Sequence, residues 1–256
     1  MVLRHARHAL VPAAAAILAA CGGPPPTVVD DGKNLGNLKI IQSPPQAQPG
    51  APAPDQVARQ LLADIAAVRQ TTRNLKCELT GFFVNINTQE PGSTLSDFHF
   101  EKPNKTSLTI KKSSDPRKVG TKVVWLGGAK MAVRTKFLGF WLSVSVDVHD
   151  DRARDPRGYF IDETGLESTL LTLLDTRNQV KYEGAGQLDN LQVARLGIVS
   201  PRSLKGIKRE VFVVDTQRKV PVVREMYDGG GKLVFRIKMD RIQLNTALPA
   251  NTFKID

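Results

Sequence analysis

Residues able to act as nucleophiles or metal ligands are few in this 256-residue chain. The thiols are Cys21 and Cys77, and the histidines beyond the amino-terminal segment are His99 and His149. These do not fall at the short spacings that gather ligands around zinc. Asp147, Asp150, Asp151 and Asp155 surround His149. Their run lacks the regular alternation and the glycine of an EF-hand loop, so it reads as a solvated loop or a weak calcium site. Asp162 and Glu163 are adjacent, which does not make an acid/base pair. Gly229-Gly230-Gly231 joins two strand-like runs and opens no helix, so it is a turn and not a phosphate cradle. No Gly-x-Ser-x-Gly elbow, phosphate loop or dinucleotide fingerprint is present. The chain reads as a non-enzyme, with no cofactor and no metal expected.

What chemistry remains is that of one thiol. Arg4 and Arg7 precede a small-residue apolar run, Ala9 to Ala20, of signal-peptide length and too short to span a bilayer. Leu18-Ala19-Ala20-Cys21 then resembles the lipobox of bacterial lipoproteins. That resemblance implies cleavage after residue 20, thioether lipidation of Cys21 and acylation of the new amino terminus. Anchoring then rests on more than one acyl chain, as stable attachment requires. An ordinary secretory signal is the alternative. With Cys21 lipidated, Cys77 has no disulfide partner and is expected to be a buried, inert thiol. Gly22 follows the cysteine where an aspartate would resemble an inner-membrane retention signal; by analogy with such lipoproteins the resemblance implies the outer membrane, facing the periplasm, with the inner membrane as the alternative.

Without the first 20 residues, 236 remain, enough for one sizeable domain or two small ones. Hydrophobic content of 41% and charged content of 24% are globular values. The formal charge of +11 falls to +9 once Arg4 and Arg7 are removed. Such a balance suits a generally basic surface or attraction to anionic lipid and cell envelope. Export and the scatter of the basic residues argue against nucleic acid.

Residues 21–54 read as a tether, with eight prolines from Pro24 to Pro54 and too little apolar surface to fold alone. Within it, Leu38 to Ile41 could add a short strand to the domain edge. A helix is expected over 55–74, with Asp55 as N-cap and Val57, Leu61, Ile65 and Val68 on one face. From Leu75 the period becomes two. Phe82, Val84 and Ile86 share one side of a strand, and Phe98 and Phe100 one side of the next. Pro91-Gly92 and Lys102 to Lys105 mark turns, and Gly127-Gly128 a tight hairpin. Phe137-Leu138-Gly139-Phe140-Trp141-Leu142 breaks the alternation and is the densest aromatic cluster. Gly165 to Leu174 returns to helical spacing, with Leu166, Leu170, Leu173 and Leu174 on one face. Strands follow to the end. In the final one, Leu233, Phe235, Ile237 and Met239 give way to Ile242 and Leu244, a phase shift that predicts a bulge near Asp240-Arg241.

This order of elements, with Val213-Val214-Asp215, Pro221-Val222-Val223-Arg224, Tyr227-Asp228, Gly231-Lys232-Leu233 and Leu248-Pro249, resembles the LolA/LolB-like outer-membrane lipoprotein-sorting family across residues 55–256. The resemblance implies an α+β domain: a strongly curved antiparallel sheet, or incomplete β-barrel, with helices over its concave face. It implies a hydrophobic cavity that holds acyl chains of a lipoprotein or lipid during envelope transport. Lining and lid candidates are then Phe82, Val84, Phe98, Phe100, Trp125, Leu166, Leu170, Leu173, Leu174, Phe235 and Ile237. The leucine helix is either a lid or a permanent core helix with no cavity beneath it. Phe137, Leu138, Phe140, Trp141 and Leu142 form either a membrane- or cargo-contact loop or a buried strand or barrel corner. The expected partners are the membrane, through the anchor, and a lipoprotein or lipid cargo, with no nucleic acid and a monomeric state. The alternative function is an interaction or sensor lipoprotein that uses the same fold to bind a partner protein.

Overall fold

The computed structural model describes residues 38–40, 52–199 and 206–255. The signal-like segment, Cys21 and most of the tether lie outside the described residues. The elements run β1 (Leu38–Ile40), α1 (Pro54–Thr71), β2 (Asn74–Val84), β3 (Pro91–Glu101), β4 (Lys105–Ser113), β5 (Lys122–Trp125), β6 (Lys130–Phe137) and β7 (Phe140–Asp147). Two short helices follow, α2 (Ile161–Thr164) and α3 (Leu166–Leu174). Then come β8 (Val180–Leu188), β9 (Leu191–Ile198), β10 (Ile207–Asp215), β11 (Val220–Asp228) and β12 (Leu233–Leu244).

All twelve strands form one antiparallel sheet in the order β1-β8-β9-β10-β11-β12-β2-β3-β4-β5-β6-β7. The sheet is curved but not closed, an open half-barrel, and β1 and β7 are its edges. Two connections make this arrangement. The last strand, β12, pairs with the first long one, β2. The chain must also travel from β7 at one edge to β8 near the other, and it carries α2 and α3 across one face as it goes. The expected edge strand forms, with Leu38 opposite Leu188.

Helix α1 begins one residue earlier than expected. Pro54 occupies its first turn, where a missing N–H costs nothing, and Ala53 is the N-cap without a side-chain bond. Asp55 is therefore not the cap, although a carboxylate in the first turn still favours the helix dipole. At the other end Lys102 Nζ donates to the carbonyls of Arg69 and Gln70, covering two free acceptors. The expected bulge is present: the β12–β2 register shifts between Asp240 and Gln243, and Arg241 has φ 55°. The extra residue keeps Leu244 opposite Leu75 on the apolar face after Met239 opposite Leu79.

The main core lies between this inner face and helices α1 and α3. Ala58, Leu61 and Ile65 of α1 and Leu166, Leu170 and Leu173 of α3 meet Leu75, Cys77, Phe98, Phe100 and Phe212 there. The outer face is laced with charge. Glu225 accepts from Arg236 at 2.8 Å and from the Tyr227 hydroxyl at 2.6 Å, and Arg209 reaches Glu183 at 2.6 Å. Val211, the register partner of Glu225, is fully buried on that face.

Candidate functional site

Cross-strand partners in an antiparallel sheet share a face, so the register fixes the inner lining. One row runs Cys77, Phe98, Leu108, Val123, Val133, Val144 from β2 to β7. A second runs Leu75, Phe100, Thr106, Trp125, Met131, Val146. Near β2 and β3 these rows are buried under the helices. At β5 to β7 Met131 and Val133 are buried, with Trp125, Val123, Val144 and Val146 half-covered by Val148, Ala153 and Ile161.

Helix α3 covers the middle of the inner face. The helix expected over 165–174 forms at Leu166–Leu174 with Gly165 as its N-cap, and Gly165 separates it from the additional one-turn helix α2. Nine residues are too few for a self-supporting helix; α3 persists because Leu166, Thr169, Leu170 and Leu173 are buried while Leu171 faces out. Two polar contacts tether it. Glu167 pairs with Arg69 of α1, and the Thr169 hydroxyl accepts from Arg224 Nη1 at 3.2 Å. Arg224 is buried, held by Glu210 Oε2 at 2.9 and 3.1 Å, with its guanidinium 5.5 Å from the Phe212 ring centre.

Two spaces border this helix. Beneath it lies a cavity of about 30 Å³ lined by Leu79, Phe98, Leu166, Thr169, Pro221, Val223, Arg224, Ile237 and Met239. That is room for about one water and no acyl chain. Beside it, an open groove of about 500 Å³ runs between α1 and the end of α3, lined by residues including Ala58, Leu62, Leu173, Leu174 and Val180, with Asp55, Arg59 and Asp175 at its polar rim. Its volume lies within the ordinary range of small-molecule sites.

The candidates read from the sequence divide among these places. Phe98, Leu166 and Ile237 line the small cavity, Leu173 and Leu174 the groove, and Phe100 and Leu170 the core between them. Trp125 stands on the inner face nearer β7, its Nε1 donating to the Gly128 carbonyl at 2.6 Å. Phe235 lies in a separate cluster with Met226 and Tyr159, its ring 6.4 Å from that of Tyr159. Phe82 and Val84 are misplaced in the sequence reading. Phe82 is the register partner of Arg236 and so belongs to the outer face, whereas Leu79, Gly81 and Cys77 face the helices. The run Leu79 to Val84 is apolar in both phases, so alternation could not choose between them. Arg224 and Glu210 were missed. Their signal was a charged residue in each apolar phase, Glu210 with Phe212 and Val214, Arg224 with Val222 and Met226.

Residues Phe137 to Leu142 are the tip of the β6–β7 hairpin and not a buried corner. Phe137 pairs with Phe140 across the two-residue turn Leu138-Gly139, with φ 48° and 91°. The two Phe rings meet edge to face at 6.0 Å. Leu138, Phe140 and Trp141 are exposed, and Phe137 and Leu142 half-buried.

The polar candidates serve local structure. Asp150 accepts from the Arg152 N–H and guanidinium, which hold its carboxyl down near a pKa of about 2. Asp155 caps the backbone N–H groups of Arg157 and Tyr159, and Asp147 that of His149. His149 Nε2 lies 2.9 Å from Asp162. Among the described residues no three of His, Cys, Asp and Glu gather as a metal site. His99 is half-buried on the outer face, and desolvation lowers its pKa. Cys77 is buried, and burial raises its thiol pKa.

No protein-family model matches the sequence, and no curated protein matches it significantly. Solved structures match the chain path. A conserved protein from Thermus thermophilus aligns at 11% identity and a TM-score of 0.49, over 78% of this chain and 94% of that one. Lipoprotein LppX from Mycobacterium tuberculosis aligns at 8% identity and 0.46, over 76% and 98%. A LolA-superfamily protein from Nitrosomonas europaea aligns at 9% identity and 0.35, over 77% and 97%.

Proposed function

We propose that this chain is a lipid-anchored envelope protein, facing the periplasm, that binds acyl chains of a lipid or lipoprotein between its curved sheet and helix α3. One observation carries the reading. A short helix that cannot stand alone caps the apolar inner face, and a groove lined by both apolar and polar side chains opens along its side. The form described is the closed one. In the open form α3 swings about Gly165, and acyl methylenes take the places of Leu166, Leu170 and Leu173. Lifting three buried leucines costs about 5–9 kcal/mol, and each buried methylene returns about 0.8 kcal/mol. Between roughly six and eleven buried methylenes therefore offset the opening, so long acyl chains bind and short ones do not.

The test uses the full chain with Cys21→Ala, which removes the lipidation site. Native mass spectrometry and displacement of a fluorescent fatty acid should show binding of C14 to C18 chains and none of C6. Binding independent of chain length, or no acyl ligand at any length, would refute the reading. The 30 Å³ cavity favours a second reading, in which α3 is permanent core and the surface binds a partner protein. Leu170→Asp separates the two: lost lipid uptake with partner capture intact supports the carrier.

A further inference from the structure

Among the described residues seven large apolar side chains remain exposed; Leu126, Leu171 and Val199 stand elsewhere in the fold, and the other four gather around the β6–β7 hairpin tip. Leu138 is 82% exposed, Phe140 55%, Trp141 43% and Val119 40%. Trp141 reaches Gly120, whose missing side chain makes room for the indole: a Cβ there would lie 2.6 Å from it. Val119 is thereby brought to the same patch. This end is also basic. The Arg134 guanidinium lies 4.6 Å and the Lys136 ammonium 5.8 Å from the centre of the Trp141 ring, and no ion pair to a described carboxylate engages either.

Folding does not account for these residues. A two-residue turn with positive φ at both positions is best filled by Asn-Gly. Leu138 holds the first position at φ 48°, where a branched side chain without a local hydrogen bond is disfavoured. The edge strand β7 would also be better protected by polar residues near its start. The sequence therefore places a leucine where both the backbone and the solvent select against it.

We propose that the β6–β7 hairpin tip is an interfacial docking element that inserts Leu138, Phe140 and Trp141 into the surface of an anionic lipid bilayer. Aromatic rings suit the headgroup region, since one end is apolar and the other tolerates water. Arg134 and Lys136 stand just behind the apolar tip, at the depth where lipid phosphates would lie, and each cation near an anionic surface strengthens attachment. The shape favours lipid over protein. A hairpin tip offers a narrow projection, whereas a stable protein interface needs roughly 800 Å² on each side. The tip lies on the β6–β7 edge of the sheet, and β1, the strand nearest the amino terminus, lies at the other. A second contact at the far edge would therefore fix how the sheet faces the membrane, independently of whether an acyl chain is bound inside.

Trp141 reports on the tip directly. In the full chain with Trp125→Phe it is the remaining tryptophan. Its emission is expected to shift to the blue, and to become protected from acrylamide, on addition of vesicles containing phosphatidylglycerol, with little change for phosphatidylcholine alone. Lys136→Glu should weaken partitioning by about tenfold or more. Leu138→Asn with Phe140→Ser should abolish the shift while the circular dichroism spectrum stays unchanged. A tip that stays water-exposed on anionic vesicles, an equal shift on neutral ones, or a shift that needs an added protein would each overturn the proposal. If Trp125→Phe does not fold, Leu138→Cys carrying an environment-sensitive dye in the Cys21→Ala chain gives the same readout, because Cys77 is buried.

Discussion

Glu210→Ala is the sharpest probe of the inner face. Arg224 and Glu210 keep only 9% and 12% of their side chains exposed, and Glu210 Oε2 takes two hydrogen bonds from the guanidinium. With Glu210 removed, Arg224 retains Thr169 as its described hydrogen-bond partner, at 3.2 Å. A buried charge deprived of its counter-ion costs about 3–5 kcal/mol. For a domain of this size, each kcal/mol lowers Tm by about 2–4 °C, so the variant should melt roughly 6–20 °C lower. The double variant Glu210→Leu/Arg224→Met removes both charges and fills the space with hydrocarbon. It should recover to within about 1 kcal/mol of the parent, because replacing a buried pair is far cheaper than breaking one. Urea unfolding followed by circular dichroism measures both. A single variant that loses under about 1 kcal/mol, or a double variant no better than the single, would refute the assignment of this pair as buried and mutually dependent. The double variant also releases α3 from Arg224, so acyl uptake should rise in it if α3 is a lid.

Other outcomes follow from the same geometry. Tyr159 is buried against Phe235 and Met226, and burial pushes its phenol up to about 12 from an ordinary value near 10. The unfolded chain ionises first, so this tyrosine's contribution is whole below pH 10 and declines by about 1.4 kcal/mol per unit as pH rises towards 12. Phenolate absorbance should show its late titration, and Tyr159→Phe should flatten that decline. Cys77, buried with a raised thiol pKa, should resist maleimide at pH 8 in the native protein and react once urea unfolds it. Leu138→Asn should stabilise the hairpin by about 0.5–1 kcal/mol, since Asn suits positive φ, while lowering affinity for anionic vesicles; a stability loss would contradict the strain argument.

Much of the fold was legible because it rests on periodicity. The α1 stripe, the alternating strands, the edge strand at Leu38–Ile40 and the bulge at Asp240-Arg241 all follow from where apolar residues recur. The phase shift between Met239 and Ile242 was readable because each side of it alternates cleanly. The segment from Leu79 to Val84 was not readable, since both phases are apolar. Only its pairing with β12 puts Phe82 beside Arg236.

Sequence alone determined what is local: helix and strand periods, turn positions, the scarcity of nucleophiles and the charge of the chain. Each of these depends on neighbours a few residues away. Tertiary structure decided which face is inner, because register depends on a strand remote in the chain. It decided that α3 leaves room for about one water beneath it, because cavity volume depends on how far side chains from several elements reach. It also turned Phe137 to Leu142 outward. The same six residues could fill a buried corner, and only the closing of a two-residue turn at the sheet's free edge leaves Leu138, Phe140 and Trp141 exposed while Phe137 and Leu142 stay half-buried.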